Sequence, residues 1–459
     1  MTRRVLRHAA FFIISVCLLT SSLSAWSSDT SPVDLWSFRG STMGTTYMVK
    51  VSGAPGGEDW REETSFAIEA ELRQVNDQMS TYLKTSELSR FNDSTSTDWF
   101  PVSRQTAEVV QLALEIGDSS AGRLDVTVGP LVDRWSFGPT KRSQTVPEPD
   151  EIESIRQRVG HQFLEARLEP PAIKKSIPEL RIDLSAIAKG HGVDRVVALL
   201  NERGAENVFV EIGGEVRVSG AKQTPSGSVA WKVGIQKPDA DANELALAHP
   251  MHDNAMATSG DYRNFFEVDG KRYSHTIDPT TGRPIDHMLA SVTVIAPTCA
   301  QADGWATALN VAGPQAAWQL AKENGLDSLL IQRVTDPNQG NPKMISFEIT
   351  GTGALAEVAE RMNQAGVLSR AGTLAQSAAS NEAGFGERMM PILILTAVGF
   401  GAVLIAMAIG VIFGRKSISG SCGGLNARTD PDGVSRCSMC STPSEGCQEL
   451  QEKIERGNA

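Results

Sequence analysis

NVFVEIGGEVRVSG, residues 207–220, sets the reading of the fold. Two short runs rich in valine, carrying Phe209 and Ile212, meet at Gly213–Gly214, and the second run closes on another glycine. Apolar runs of this length bounded by glycine read as sheet strands joined by a turn. AWKVGIQ (230–236), FFEVDG (265–270) and KRYSHTI (271–277) repeat the pattern, and TTYMVKVSG (45–53) precedes them. Between these strands lie helical periodicities. One runs from about Glu62 with Phe66, Leu72, Val75 and Met79 near helical spacing. A second covers 104–121, started by Ser103 and carrying Val109, Leu112 and Ile116. A third follows Ser185 and ends near Gly204, a fourth spans Ala302–Asn324, and the strand DSLLIQ (327–332) closes the domain. A Pro-, Gly- and Ser-rich loop, 138–150, divides the first half from the second. Interleaved strands and helices with several hairpins predict α/β layers around a mixed, partly antiparallel sheet.

Outside this domain the chain changes character. MMPILILTAVGFGAVLIAMAIGVIFG (389–414) has no charged side chain and is followed at once by Arg415 and Lys416. At about 1.5 Å per residue a helix of this length exceeds a bilayer core of roughly 30 Å. Its glycines and proline are tolerable in a membrane helix, and the basic pair places the C-terminal end in the cytoplasm. The N-terminus reads as a secretory signal: Arg3, Arg4 and Arg7, an apolar run at 9–19, then TSSLSA at 20–25. It is expected either to be cleaved near Ala25 or to stay as an uncleaved anchor. The expected organisation is a signal (1–25), a polar linker, an exported domain over 36–350, an Ala-, Ser- and Gly-rich tether (354–388), one membrane helix and a small Cys-rich tail (415–459). Four of the six cysteines, Cys422, Cys437, Cys440 and Cys447, fall in that tail. On the reducing side such thiols read as metal ligands, iron or zinc, or as redox groups. Among 459 residues, 41% are hydrophobic and 21% charged, which suits a globular chain with a core. A net charge of -11 argues against nucleic acid as partner.

Two stretches of the exported domain carry chemistry. In ADGWATALNV (302–311), Asp303 and Thr307 are four apart on a predicted helix, so their oxygens share a face. The pair reads either as half of a hard-cation site of the Mg²⁺ kind or as a helix-stabilising aspartate with a back-bonded threonine. In RIDLSAIAKGHG (181–192), Asp183 stands at a strand end, Ser185 can cap the following helix, and Lys189 lies one turn on. That is a natural phosphate seat, or an ordinary capped helix with a solvated lysine. Neither a P-loop nor a Gly-x-Gly-x-x-Gly device is present.

Eight blocks taken in order give a family resemblance. They are GSTMGTTY (40–47), MSTYLKTSELSRFN (79–92), GRLDVTVGPLVDRWSFGP (122–139), IDLSAIAKG (182–190), VEIGGEV (210–216), ATSGDYRNFF (257–266), HTIDPTTGRPI (275–285) and ADGWATAL (302–309). Together they resemble the ApbE family of FAD:protein FMN transferases, whose fold is an α/β one related to T-folds. The resemblance implies that Met43, Tyr82, the Arg123-Leu124-Asp125 turn, Asp183 and Lys189 contact FAD. It also implies Mg²⁺ held by the backbone carbonyl of Ala186 with Asp303 and Thr307. Ala306 stands where some members carry a second aspartate, and His191 replaces a common aromatic.

The implied reaction is attack by a client threonine hydroxyl on the FMN-side phosphorus of FAD, with AMP leaving. His275 is expected to take the hydroxyl proton, since its ordinary pKa lies near working pH. Asp278 is expected to orient the loop or the histidine. The tail from 388 to about 450, with its basic pair and SCGGL, looks like NqrM, a small protein needed to mature the Na⁺-translocating NADH:quinone reductase and thought to help supply its iron centre. The expected partners are therefore the flavinylated subunits of that reductase or related complexes, and the membrane. The expected place is a bacterial inner membrane, with the transferase domain in the periplasm and the tail in the cytoplasm. Two other readings compete: a membrane-tethered FAD carrier or electron-transfer module, and an FAD pyrophosphatase.

Overall fold

Eight strands follow one another through the main sheet in the order in which the chain makes them. The computed structural model describes residues 35–140, 144–238, 244–261, 264–335 and 345–368. All belong to the first of two units, Met1–Leu374; the second, Ala375–Ala459, lies outside them. The strands are β1 (Leu35–Thr42), β2 (Thr45–Ser52), β3 (Val208–Ile212), β4 (Glu215–Ser219), β5 (Ala255–Gly260), β6 (Leu289–Ala296), β7 (Asp327–Thr335) and β8 (Ile345–Thr352). Each recorded pairing between neighbours is antiparallel, so the antiparallel part of the expectation extends across the whole sheet. The chain leaves this meander for long excursions after β2, β4, β5 and β6, and those after β2, β5 and β6 carry the candidate site residues.

Strand alternation sends Val208, Val210 and Ile212 to one face and Phe209 to the other. The first face packs on two helices. α1 (Glu58–Met79) contributes Ile68 and Leu72, and α3 (Ala188–Glu202) contributes Val193, Val196 and Leu200. Between them α2 (Arg104–Ser119), capped by the Ser103 hydroxyl on the Thr106 amide, packs through Val109 and Ile116 into a second core with the end of α1. The opposite face meets Trp231, Val233 and Ile235 of a separate hairpin. Further on, α4 (Cys299–Ala312) and α5 (Pro314–Glu323) cover β5 and β6. Every residue of β6 is buried because helices lie on one side and the hairpin layer on the other. Each fully buried aliphatic side chain here contributes roughly 1.5–3 kcal/mol. Among the described residues no helix is long and apolar enough to cross a membrane. The apolar stretch 389–414, the N-terminal signal and the cysteine tail lie outside them.

Several expectations are corrected. Phe66 is 64% exposed, because the buried stripe of α1 runs through Thr64, Ile68, Leu72 and Val75. The helix expected over Ala302–Asn324 is two helices broken at Gly313–Pro314, where the proline opens the second and the glycine adopts φ +75°. AWKVGIQ, FFEVDG and KRYSHTI form two-stranded hairpins outside the main sheet. Asp183 lies in irregular backbone, not at a strand end, and Ser185 does not cap α3. Residues 353–368, assigned in part to the tether, fold instead as a 3-10 turn and α6 (Ala356–Gln364), whose Val358, Ala359 and Met362 join the core against β8. The polar linker ends earlier too, since β1 begins at Leu35.

His191 is buried on α3, and its Nε2 finds no hydrogen-bond partner among the described residues. Burial first, then the nearby Arg195 charge, pull its pKa from 6.5 down to about 4. The fold therefore favours the neutral ring: its contribution is fully present above pH 6.5 and is lost as pH falls toward 4. The loss is at most about 3 kcal/mol. Urea unfolding of His191→Phe at a series of pH values is expected to show a flatter stability decline than the parent between pH 6.5 and 4.

Candidate active site

The site is built where α3 and α4 touch. A side chain at Gly190 would place its Cβ 2.3 Å from the Cys299 carbonyl oxygen, so only glycine allows this approach. Asp194, one turn further along α3, caps α4 by accepting the amides of Cys299 and Ala300 at 2.9 Å each, and Arg217 of β4 binds the same carboxylate at 2.6 Å. The contact brings Asp303 of α4 against the start of α3, where its Oδ2 accepts the Gly190 amide at 3.0 Å. The Lys189 ammonium lies 3.6 Å from Asp303 and 3.2 Å from Glu215, the first residue of β4. One ammonium between two buried carboxylates leaves a surplus negative charge. Burial pushes the Asp303 pKa up, to about 7, with Lys189 opposing and Glu215 adding to the rise. On Lys189 burial pulls the other way, but Asp303 and Glu215 outweigh it and hold the ammonium above the ordinary lysine range. The lysine therefore stays charged, and burial is what raises Asp303.

That surplus fits a hard dication. Among the described residues no trio of His, Cys, Asp and Glu is placed to hold a metal. The donor set here is of another kind: the Asp303 carboxylate, the Thr307 hydroxyl one turn along α4, and the Ala186 carbonyl. Thr307 is half-buried, and its hydroxyl makes no hydrogen bond among the described residues. The Ala186 carbonyl is left over because the Gly190 amide, four residues on, donates to Asp303. Oxygen donors with one carboxylate suit Mg²⁺, which keeps several waters or phosphate oxygens. Ala306 is buried in the α4–β6 core, so an aspartate at that position would face apolar packing.

His275 follows the hairpin of Phe265–Val268 and Lys271–Ser274. That hairpin is fixed by an aromatic stack of Trp135 on Tyr273 and Tyr273 on Phe266, and Trp135 donates to the Gly282 carbonyl at 2.9 Å. The imidazole Nδ1 lies 3.1 Å from the Asn264 carbonyl oxygen. A carbonyl only accepts, so in the neutral ring Nδ1 carries the proton and Nε2 the lone pair. Burial lowers the His275 pKa, the Asn264 bond opposes, and the Lys189 charge lowers it further. Asp278 accepts the amide and hydroxyl of Thr280 at 2.9 and 2.7 Å and lies 3.7 Å from Arg123. It shapes the loop and meets the 122–125 turn.

The other expected residues divide into two groups. Met43 forms the β1–β2 turn with Gly44, at φ +49° and +73°. Both residues are left-handed, as a two-residue hairpin requires, at a cost of roughly 1–2 kcal/mol for a methionine. Its side chain packs on Gly192 of α3, within a turn of Lys189. Asp183 and Thr81, the neighbour of Tyr82, line a cleft of about 640 Å³ shared with Asn92, Asp133 and Arg134. Tyr82 itself is 69% exposed. Leu124 is buried in the α1–α2 core, and Asp125 is occupied with the Thr127 amide and hydroxyl and the His161 amide. Of that turn, Arg123 is the residue that reaches Asp278. Glu215, Asp194 and Asn92 escape reading from sequence. The position of Glu215 directly after Gly213–Gly214 fixes it at the turn, but only the α3 contact shows what it faces. Asn92 clamps both the amide and the carbonyl of Ile182, holding Asp183 in place. The cysteine ligands expected in the tail lie outside the described residues.

This arrangement is that of a flavin transferase. The chain matches the ApbE family over residues 43–330. A Vibrio cholerae FAD:protein FMN transferase is 46% identical over 305 residues, spanning 66% of this chain and 90% of that protein. A Haemophilus influenzae FAD:protein FMN transferase is 42% identical over 325 residues, spanning 70% and 92%. Among solved structures, the flavin transferase ApbE from Vibrio cholerae superimposes with a TM-score of 0.62 at 43% identity, covering 70% of this chain and 98% of its own. The apo flavinyl transferase ApbE of Pseudomonas stutzeri gives 0.63 at 36% identity, covering 72% and 98%. The chain belongs to the ApbE family, and its enzyme class is FAD:protein FMN transferase.

Gly190→Ala tests the helix contact. Its Cβ meets backbone atoms rather than a flexible side chain, so α3 and α4 must separate. Thermal denaturation is expected to show a loss of about 1–3 kcal/mol, and transferase assays a fall in activity beyond that explained by the unfolded fraction.

Proposed function

We propose that this chain transfers FMN from FAD to a threonine hydroxyl of client proteins, releasing AMP, in an Mg²⁺-dependent reaction. One observation carries the reading: the Lys189–Asp303–Glu215 cluster at the α3–α4 contact, with the Ala186 carbonyl and Thr307 hydroxyl beside it. Asp303, Thr307 and Ala186 would hold the metal, which supplies charge neutralisation at pyrophosphate oxygens. Lys189 is held as a permanent cation next to that position and adds to the attraction for phosphate. Met43, Tyr82, Arg123 and Asp183 would contact the flavin nucleotide, as the family resemblance implies. The threonine oxygen forms its bond to the FMN-side phosphorus while the bond to the AMP oxygen breaks. The hydroxyl proton passes to His275 Nε2, the lone-pair nitrogen left by the Nδ1 bond to Asn264. A neutral, depressed histidine is already unprotonated at neutral pH.

The remaining parts of the proposal rest on sequence resemblance. The clients are subunits of the Na⁺-translocating NADH:quinone reductase or related complexes, and the tail with Cys422, Cys437, Cys440 and Cys447 assists iron-centre maturation of the same complex. The signal-like N-terminus and the 389–414 stretch support a transferase domain in the periplasm of an inner-membrane protein whose tail is cytoplasmic.

Mass spectrometry of a threonine-containing client peptide incubated with FAD and Mg²⁺ tests the activity. A mass gain of one FMN on threonine, abolished in Asp303→Ala or by a chelator, is expected. Free FMN without labelled peptide would mean that the chain hydrolyses FAD instead. His275→Ala is expected to lose transfer by at least about 10²-fold while still binding FAD, and near-normal transfer would reject the base assignment. Because neutral His275 is the active form and its pKa is depressed, the rate should rise through an acid limb below pH 6.5 and level off above it.

A further inference from the structure

The excursion that carries His275 leaves the main sheet at the end of β5 and returns at the start of β6, and one residue ties both ends. Arg333 lies on β7, beyond the family match that ends at residue 330. Its guanidinium makes two hydrogen bonds to Asp261, which follows β5, with Nη1 to Oδ2 at 2.8 Å and Nη2 to Oδ1 at 2.7 Å. Its backbone amide donates to the Met288 carbonyl at 2.8 Å, immediately before β6. Both side chains of the pair are largely buried, 11% exposed for Arg333 and 18% for Asp261. Three residues beyond Asp261 stands Asn264, whose carbonyl accepts both the backbone amide of His275 at 3.0 Å and its Nδ1–H at 3.1 Å. At the return end His287 donates through Nε2 to the Asn310 carbonyl at 2.9 Å, anchoring the same excursion to α4.

We propose that the Arg333–Asp261 pair is a positioning device for His275, holding the base of its excursion so that the Asn264 carbonyl fixes the Nδ1–H tautomer and aims Nε2 at the transferred proton. The proposal rests on the reading of His275 as the base. Neither Arg333 nor Asp261 touches substrate in this role. The two parallel bonds matter because a guanidinium fork fixes orientation as well as distance, which an ammonium cannot do. The charged groups bearing on the imidazole are Asp261 itself and Lys189, so the pair also screens one of the two.

The test uses the full chain with FAD, Mg²⁺ and a threonine-containing client peptide, comparing Arg333→Met, Arg333→Lys and Asp261→Asn. A misplacement of the base by about an ångström costs on the order of 10²-fold, so Arg333→Met and Asp261→Asn are expected to lower kcat by about ten- to a hundredfold with KM for FAD unchanged. Arg333→Lys should recover only part of that loss. ¹⁵N spectra of the His275 imidazole should show a single Nδ1–H tautomer in the parent and a mixture in Arg333→Met. In a His275→Ala background Arg333→Met should add no further loss. A wild-type kcat together with an unchanged tautomer signature in Arg333→Met overturns the proposal, as does a full additive loss on top of His275→Ala. If Arg333→Met does not fold, Asp261→Asn, which keeps size and shape, decides by the same readouts. Retention of transfer in His275→Ala alone would sink the base reading, and the tautomer spectra would still decide whether the pair positions the ring.

Discussion

The close approach of α3 and α4 at Gly190 is the constraint on which the site depends. Without a Cβ there, the Gly190 amide reaches the Asp303 carboxylate, and the helix start is opened at the Ala186 carbonyl in the same stroke. Asp194 locks the contact from the α3 side by capping α4, and Arg217 reaches in from β4 to hold that cap. Three elements distant in sequence are thereby fixed to within a few ångströms before any ligand arrives. Preorganisation of this kind is what phosphoryl-transfer sites need, since positioning and electrostatics supply most of their catalysis.

Charge is distributed to match. Two buried carboxylates against one lysine leave the pocket short of positive charge, a deficit a dication meets. Burial, with Glu215 adding to it, pushes Asp303 toward protonation, while the two carboxylates hold Lys189 charged against its own burial. On the far side of the site His275 is kept neutral by burial and oriented by one backbone carbonyl. The Lys189 charge of the cluster bears on this imidazole and helps to keep it neutral.

The meander of eight strands gives this site a rigid platform, and its interruptions give it its parts. The excursion after β2 supplies Tyr82, Arg123, Asp183 and Lys189, the excursion after β5 supplies His275 and Asp278, and α4 follows β6 with Asp303 and Thr307. Aromatic stacking of Trp135, Tyr273 and Phe266 binds the excursion after β2 to the one after β5.

Local patterns in the sequence determined the strands around Gly213–Gly214, the three helices before residue 204 and, through eight ordered blocks, the family. These are short-range signals: alternation, helical spacing, a Ser103 cap, glycine turns. Local spacing also misled, placing Phe66 on a buried face and running one helix through Gly313–Pro314, because periodicity counts apolar residues without knowing which side the sheet lies on. Only tertiary structure decided that Asp303 faces Lys189 rather than capping its own helix, that Glu215 is the second carboxylate, that Asp125 is spent on its own turn, and that residues 353–368 belong to the core. Each of those facts depends on which element lies opposite, and the physical reason is the same throughout. A side chain's chemistry is set by partners more than a hundred residues away, such as Gly190 for Asp303, and no window of sequence contains both.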